Sequence, residues 1–401
     1  AWQDRFGDPV IAELRKSGRS TFLMQYGDIW RHLPWQRPTF SANTIMKWGA
    51  LSAAGLGLAR RLPSHLPDYD LVQQFLRQAD VPLSGLAPMD LRKAAAATAA
   101  TARRFERVLK IVRPSLCFIL GYFSKIGFAL SLACRRQGIL SIEVQHGGCG
   151  ARNESYCWSA VPEHGYTVLP SVFWTWTEGD TAVIEAWSRK LKSPWHRGIQ
   201  GGHPQLPVWF DDNDPQTRSF DARINEIRAG SPAEREILVA LQANEGYRAL
   251  WNELAALIER APSNWRWWLR HRQNTRGAER QLGRVFALRP PNVVVEEASL
   301  LPLPALLRHM DALISIRSGA AIEASMFGLR PIFLSAAASE VFPELFDARK
   351  ADIIDNMNAL EARLYAQPVR TKTRLAQPNL GDTLSRLETM AADYSVLCGR
   401  A

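Results

Sequence analysis

Residues 314–334 read ISIRSGAAIEASMFGLRPIFL and form the clearest strand, helix, strand unit of the chain. An apolar strand delivers Arg317, Ser318 and Gly319 to the start of a helix, and a second apolar strand follows that helix. Buried strands that alternate with amphipathic helices are typical of βαβ units, in which the strands are parallel. The segment therefore predicts an α/β domain with a parallel sheet.

The same alternation extends to both sides of this segment. Further strands are predicted from residue 236 and at 265–270 in this half, and at 116–120, 140–145 and 172–176 in the other half. The chain has 401 residues, more than the roughly 250–300 at which a single hydrophobic core stops growing. We therefore expect an N-terminal domain over residues 1–215 with a helical beginning, a C-terminal domain over 216–380, and a helix over 381–401 that crosses back towards the first domain.

Composition and charge narrow the classes of partner. With 46% apolar and 22% charged residues, the chain has the composition of an ordinary globular protein. Its net charge of +10 favours anionic partners such as nucleotide phosphates or an anionic membrane surface. The basic residues are scattered and no nucleic-acid motif accompanies them, so we expect no nucleic-acid partner. No GxGxxG or GxxxxGKS motif is present, which disfavours a dinucleotide cofactor, and we expect none.

The location is predicted from the cysteines and the apolar segments. Five scattered cysteines offer neither a disulfide framework nor a zinc site and indicate reduced thiols. No apolar run approaches the roughly 20 residues that cross a bilayer. These features predict a cytoplasmic protein. The basic, tryptophan-containing stretch 47–61 adds the expectation of peripheral contact with the anionic inner membrane, with a buried helix as the alternative.

Polar residues that follow the predicted strands are the candidates for ligand binding, because ligands of open parallel sheets bind beyond the carboxyl ends of the strands. Arginine and the amides at a helix start suit a phosphate, and a carboxylate one turn further along suits a ribose. A plain helix cap and a solvated basic loop are the alternatives. The predicted donor-binding residues are Arg270, His271, Arg272, Arg317, Ser318, Gly319, Ala320 and Glu323.

The stretch SIEVQHGG at 141–148 places His146 at the end of a strand, before two glycines. An imidazole can accept or donate a proton near neutral pH, so His146 is the first catalytic candidate. A structural histidine is the alternative. Glu178 and Asp180 follow the next strand and are further catalytic candidates, although Asp180 also suits a helix cap. Residues expected to line the cleft are Gln145, Gly147, Asn244 and Glu245, and no metal is expected at the turn-rich run 211–214.

Three stretches resemble the GT-B glycosyltransferases of bacterial capsule, lipopolysaccharide O-antigen and teichoic-acid synthesis. SIEVQHGG is similar to their QHG strand end, IQGGHPQL to the GxP close of their N-terminal domain, and ISIRSGAAIEASMFGLRPIFL to their donor segment. The resemblance implies two Rossmann-like domains that face an interdomain cleft, with acceptor binding by the first and nucleotide-sugar binding by the second. Ser318 and Gly319 would contact the donor phosphate, Glu323 the ribose, and His146 would lie in the catalytic neighbourhood.

The hypothesis that follows is that the protein is a metal-independent glycosyltransferase, which moves a sugar from a nucleotide-activated donor to a glycan or lipid-linked glycan acceptor. Related transferases that use CMP-linked acids carry a His-Pro pair, whereas His271 is followed by Arg272, so UDP and CMP both remain open as the nucleotide. Two alternatives remain: a nucleotide-sugar 2-epimerase of the same fold, and a catalytically silent subunit of polysaccharide assembly.

Overall fold

The computed structural model describes residues 4–27, 39–82, 84–150, 153–159, 161–192, 195–230, 232–271, 277–366 and 374–397. The described strands are β1 (Leu23–Gln25), β2 (Thr39–Ser41), β3 (Leu116–Ile119), β4 (Leu140–Val144), β5 (Val172–Thr175), β6 (Arg197–Gln200), β7 (Arg235–Ala240), β8 (Trp265–Arg270), β9 (Val293–Val294), β10 (Ala312–Ser315), β11 (Ile332–Phe333) and β12 (Asp352–Ile353).

Helices account for most of the remaining described residues. They are α1 (Gly7–Lys16), α2 (Asn43–Gly55), α3 (Tyr69–Gln78), α4 (Pro88–Val112), α5 (Lys125–Arg136), α6 (Glu178–Ser188), α7 (Leu206–Phe210), α8 (Pro215–Ala229), α9 (Arg248–Arg260), α10 (Ala278–Leu282), α11 (Arg284–Ala287), α12 (Glu296–Leu300), α13 (Leu303–Leu307), α14 (Ala320–Met326), α15 (Ala338–Val341), α16 (Pro343–Asp347), α17 (Met357–Ala366) and α18 (Leu380–Leu397), with short 3-10 helices at Leu58–Arg61 and Glu245–Tyr247. No helix among these residues is both long and apolar enough to span a bilayer.

The chain divides into two compact units. The first comprises the described residues of 1–146, 158–204 and 378–401, and the second those of 147–157 and 205–377. The sequence predicts a boundary at residue 215, whereas the two units divide after residue 204, so that α7 as well as α8 belongs to the second unit. Each unit is built around its own parallel sheet, so the predicted α/β class is confirmed.

The first unit contains a four-stranded sheet in the order β3-β4-β5-β6, in which every neighbouring pair is parallel. Every side chain of β4 is buried, as expected of a strand that is covered on both faces. One face of the sheet packs against α18, through Leu384, Leu387, Ala391 and Tyr394. The last described helix therefore completes the core of the unit in which the chain begins.

The second unit contains a six-stranded parallel sheet in the order β12-β11-β10-β7-β8-β9. The chain runs outwards from β7 through β8 to β9, and then returns to place β10 on the other side of β7. The strand order therefore reverses between β7 and β10. In an open α/β sheet, such a switch point is where two neighbouring loops diverge and leave room for a ligand.

The segment after residue 204 is largely helical, although it contains the turn-rich run 211–214. It forms α7 and α8, because Asp214 caps α8 by accepting hydrogen bonds from the Gln216 and Thr217 amides at 2.8 and 3.1 Å. Pro215 occupies the first helical position, where its missing N–H costs nothing. Asp212, in the same acidic run, binds Arg308 at 2.9 Å.

Replacing Leu387 by alanine tests the contribution of α18 to the first unit. Leu387 is fully buried between α18 and the sheet, and a cavity of this kind costs about 2–5 kcal/mol. Urea unfolding should show this loss in the free energy of unfolding. Ile111→Ala is the control, because Ile111 is 82% exposed and surface changes stay within about 0.5 kcal/mol. Equal stability of the two variants would contradict the assignment of α18 to this core.

Candidate functional site

The carboxyl ends of β7 and β10 form the switch point of the second unit. Gln242 follows β7, and Arg317 follows β10. The two are joined directly, because the Arg317 amide donates a 2.7 Å hydrogen bond to Oε1 of Gln242. Gln242 was not among the sequence-predicted site residues, since its partner is set by the order of the strands and not by neighbours in the chain.

The backbone of the turn into α14 satisfies most of its own hydrogen-bond donors. The Ser318 amide donates to Oγ of Ser315 at 2.9 Å, and the Ala320 amide donates to Oγ of Ser318 at 3.3 Å. Within the described residues, the Gly319 amide has no acceptor. From the sequence, the amides at this helix start are all predicted to be available to a phosphate. The structure corrects this, because serine and glutamine oxygens already occupy the other donors.

Arg317 and Gly319 leave this turn open to a ligand. The Arg317 side chain is exposed, and its guanidinium lies 5.8 Å from the centre of the Tyr247 ring. It pairs with no carboxylate of the described residues. A Cβ atom added to Gly319 would meet nothing within 4 Å. The turn can therefore offer one guanidinium, one amide and the Ser318 hydroxyl to an anion.

The other predicted donor-binding residues have local roles in the structure. Nη1 of Arg270 donates to the carbonyls of Ala298 and Leu301, both at 2.6 Å, so this guanidinium connects β8 to α12. The His271 amide donates to Oγ of Ser299 at 3.2 Å. Arg272 lies outside the described residues.

Glu323, Asn244 and Glu245 were also expected near the ligand. The Glu323 side chain is buried, with 2% of its surface exposed. Asn244 caps the 3-10 helix after β7 by accepting the Gly246 amide at 2.9 Å. Glu245 is exposed and lies 3.4 Å from Arg248 and 3.6 Å from Arg280. Asn244 and Glu245 thus already have polar partners, and Glu323 is buried in α14.

In the first unit, a buried carboxylate lies behind His146. Glu143, in β4, has no exposed surface, and its carboxylate accepts the Gly121 and Tyr122 amides at 3.3 and 3.0 Å. Its Oε1 lies 3.3 Å from Nδ1 of His146, and the Val144 carbonyl lies at the same distance from that nitrogen. Glu143 was missed by sequence reasoning. The available signal was an acidic residue inside an otherwise apolar strand.

The pKa values of both groups are raised, that of His146 by its carboxylate partner and that of Glu143 by burial. Burial alone would lower the pKa of His146 below its ordinary 6.5, but the hydrogen bond and charge of Glu143 outweigh burial and leave this pKa raised. Burial raises the pKa of Glu143, against the hydrogen bonds from His146 and from the two amides. The pair therefore retains a proton at higher pH than a free histidine does, as suits a general acid or base.

Aromatic rings enclose the imidazole of His146 on two sides. The Phe123 ring stacks on it with centroids 5.6 Å apart, and the Phe6 ring meets it edge-on at 6.3 Å. Phe6 also stacks on Trp176 at 6.0 Å and contacts His203 at 5.4 Å. The imidazole is 30% exposed, so one edge of it remains accessible. Residues just before α1 thus build part of this site, and no sequence motif indicated their role.

Gln145 and Asp180 have structural roles at the neighbouring strand ends. Gln145 is buried, accepts the Trp176 amide at 2.7 Å and donates to Oδ2 of Asp180 at 3.2 Å. Asp180 and Thr177 form a capping box at the start of α6. This is the capping alternative that the sequence left open for Asp180, and burial raises its pKa. Glu178, another catalytic candidate, is exposed in the first turn of α6. At Gly147, which was expected to line the cleft, an added Cβ atom would meet nothing within 4 Å.

Glu143→Gln is predicted to lower the pKa of His146. The variant removes the charge that raises this pKa but keeps the burial that lowers it, so the pKa of His146 should fall below its wild-type value. An NMR titration of the imidazole C–H signals measures the change. His196 is the internal control, since burial lowers its pKa to about 4 and its partners are unaltered.

The same variant has a consequence for stability. A histidine whose folded pKa is raised stabilises the fold below 6.5, and this stabilisation is lost as pH rises through the folded pKa. Wild type should therefore lose stability over that window, and Glu143→Gln should not. An unchanged His146 pKa in the variant would contradict the pairing.

Comparison with known proteins gives structural relatives only. No protein-family model matches the chain, and no curated protein matches it in sequence. UDP-GlcNAc 2-epimerase from Neisseria meningitidis, bound to UDP-GlcNAc, is 14% identical with a TM-score of 0.56 over 98% of each chain. UDP-GlcNAc 2-epimerase from Methanocaldococcus jannaschii is 12% identical with a TM-score of 0.56, over 97% of this chain and 98% of the other.

A second structure of the Methanocaldococcus jannaschii enzyme, in complex with UDP-GlcNAc and UDP, is 13% identical with a TM-score of 0.53 over 95% of each chain. At these identities the similarity establishes the fold. The fold is the GT-B type, with two Rossmann-like domains, as the sequence predicted.

Proposed function

We propose that the protein is an enzyme that acts on a nucleotide-activated sugar. The observation that carries this proposal is the opening at the β7–β10 switch point, where Arg317, Ser318 and the free Gly319 amide can bind a phosphate. Structural relatives of the same fold bind UDP-GlcNAc and UDP. A UDP-linked N-acetylated sugar is therefore the first substrate class to test, and CMP- and GDP-sugars follow.

The reaction that the comparisons favour is inversion at carbon 2 of the donor sugar. The three structures described above are of two UDP-GlcNAc 2-epimerases. Inversion at a C–H centre requires that a proton leave and return, which needs a group that holds and releases one. The Glu143–His146 pair supports such a role, because the hydrogen bond and the charge of Glu143 raise the pKa of the imidazole.

Glycosyl transfer is the second candidate. The observation in its favour is the set of three stretches that resemble bacterial surface-polysaccharide transferases, with His146 and Gly147 at the strand end. In this reaction His146 would accept the proton of the attacking hydroxyl. The acceptor would be a glycan or lipid-linked glycan of a surface polysaccharide.

One NMR experiment separates the two reactions. The protein is incubated in D₂O with UDP-GlcNAc and no acceptor. Epimerisation predicts a second anomeric signal and deuterium at carbon 2. Transfer predicts an unchanged donor until a glycan acceptor is added, and then release of UDP. A preparation that neither turns over nor gains thermal stability with UDP-, GDP-, CMP- and TDP-sugars would overturn the proposal.

The same thermal-stability and NMR measurements distinguish a catalytically silent subunit. It would gain thermal stability from a nucleotide sugar and yet produce neither signal. In cells, His146→Ala would then leave function intact. Either result would remove the enzymatic part of the proposal and keep the binding part.

A further inference from the structure

The first unit exposes an unusual concentration of large apolar side chains near its beginning. Of the 17 exposed large hydrophobic residues in the described chain, ten lie between Phe22 and Val81. Scattered single exposures are ordinary on a protein surface, whereas exposed apolar side chains that share one side of a helix can mark an interaction surface. The part whose charged residues are all basic is formed by α2 and the 3-10 helix after it.

Helix α2 presents two different sides. Its inner side packs on α4, where Gly49 and Ala53 are buried and a side chain at Gly49 would overlap Thr101. The outer side carries Trp48 and Leu51, which are three residues apart and are 52% and 51% exposed. The alternative of a buried helix, predicted from the sequence, therefore applies only to the inner side of α2. One side is core and the other is solvent-facing.

The 3-10 helix follows α2 directly in the chain. Leu56, at the end of α2, is 60% exposed, and Arg60 and Arg61 of the 3-10 helix are also exposed. We call the resulting surface the basic apolar face; it consists of Lys47, Trp48, Leu51, Leu56, Arg60 and Arg61.

The charge of this face is of one sign. Residues 43–61 contain three basic residues and no aspartate or glutamate. Within the described residues, Lys47, Arg60 and Arg61 form no ion pair. The three cations are therefore available to a partner that is itself negatively charged.

We propose that the basic apolar face docks on an anionic lipid surface. Indole and aliphatic side chains on a short helix insert at the headgroup level, and the flanking cations are attracted to anionic lipid. A second copy of the chain fits less well. A two-fold interface would oppose the same cations, with no acidic residue in the face to neutralise them. The proposal is independent of the reaction proposed above.

Vesicle co-sedimentation tests the docking. The protein should sediment with vesicles that contain phosphatidylglycerol and phosphatidylcholine, but not with phosphatidylcholine alone, and added salt should weaken binding. Arg60→Glu/Arg61→Glu should reduce partitioning by ~30-fold or more, since each cation contributes several-fold in affinity. Arg189→Glu/Arg386→Glu is the control with the same change of charge, at two exposed arginines outside the face.

The apolar part of the face has its own readout. Fluorescence of Trp48 should be quenched by brominated lipid, and this share of the quenching should disappear in Trp48→Phe. Ile111→Glu, at an exposed position outside the face, should leave binding unchanged. Circular dichroism establishes that each variant is folded.

Three outcomes would overturn the proposal. One is equal binding to neutral and anionic vesicles, and another is equal loss in the face and control variants. The third is a dimer in sedimentation equilibrium that Arg60→Glu/Arg61→Glu dissociates, together with no vesicle binding. None of these outcomes bears on nucleotide-sugar turnover, so failure here leaves the proposed function untouched.

Discussion

His146→Ala is expected to reduce turnover of the nucleotide sugar by about 10²–10⁴-fold, the range that a positioned general acid or base contributes. The reason is the pair with Glu143, which holds the imidazole through Nδ1 at 3.3 Å and leaves its outer edge accessible. Binding of UDP should be unchanged, because the residues proposed to bind phosphate are others. Initial rates by NMR or coupled UDP release measure kcat, and calorimetry measures the Kd for UDP.

Two further variants sharpen this prediction. His164→Ala removes an exposed histidine of the same unit and should leave kcat unchanged. Glu143→Gln should lower kcat less than His146→Ala and shift the pH profile to lower pH, because Glu143 acts through the imidazole. A His146→Ala enzyme with wild-type kcat would remove His146 from the mechanism.

Arg317→Ala is expected to weaken binding of UDP by about 10- to 100-fold. A hydrogen bond to a charged group contributes about 1.5–3 kcal/mol, and each 1.4 kcal/mol corresponds to about tenfold in Kd. Arg317 has no carboxylate partner among the described residues, so its loss should not destabilise the fold. Calorimetric titration with UDP measures the change directly.

Arg223→Ala provides the matched control for Arg317. Arg223 is an exposed arginine of α8 in the same unit and pairs with Glu226 at 3.0 Å. Its replacement should leave the Kd for UDP unchanged. Gly319→Ala adds a steric test, because the added methyl group meets only open space in the free protein but would crowd a bound phosphate. Wild-type affinity in both Arg317→Ala and Gly319→Ala would place the nucleotide elsewhere.

The candidate site was predicted in part from the sequence. His146, Arg317, Ser318 and Gly319 were found because each follows an apolar strand, and strand ends are where open sheets bind ligands. The same rule also selected Arg270 and Gln145. In the structure, Arg270 donates to a carbonyl of a neighbouring segment, and Gln145 accepts a hydrogen bond from a backbone amide of another. Strand-end position identifies residues near a site but does not show which hydrogen bonds they already make.

By itself, the sequence determined the features that depend on near neighbours along the chain. Alternation of apolar and polar residues specifies strands and helices through their periods, and caps such as Asp214 begin helices through hydrogen bonds within three residues. These local preferences suffice for the α/β class and for most element positions. They also place His146 directly after β4.

Only the tertiary structure decided which distant segments meet. The pairing of β10 with β7 brings Gln242 to Arg317, and burial of Glu143 beneath two amides gives His146 its partner. The packing of α18 on the first sheet is likewise a contact between segments that are far apart in the chain. Such contacts depend on how a whole core is filled, because strand order and side-chain partners follow from the packing of many residues that no local pattern encodes.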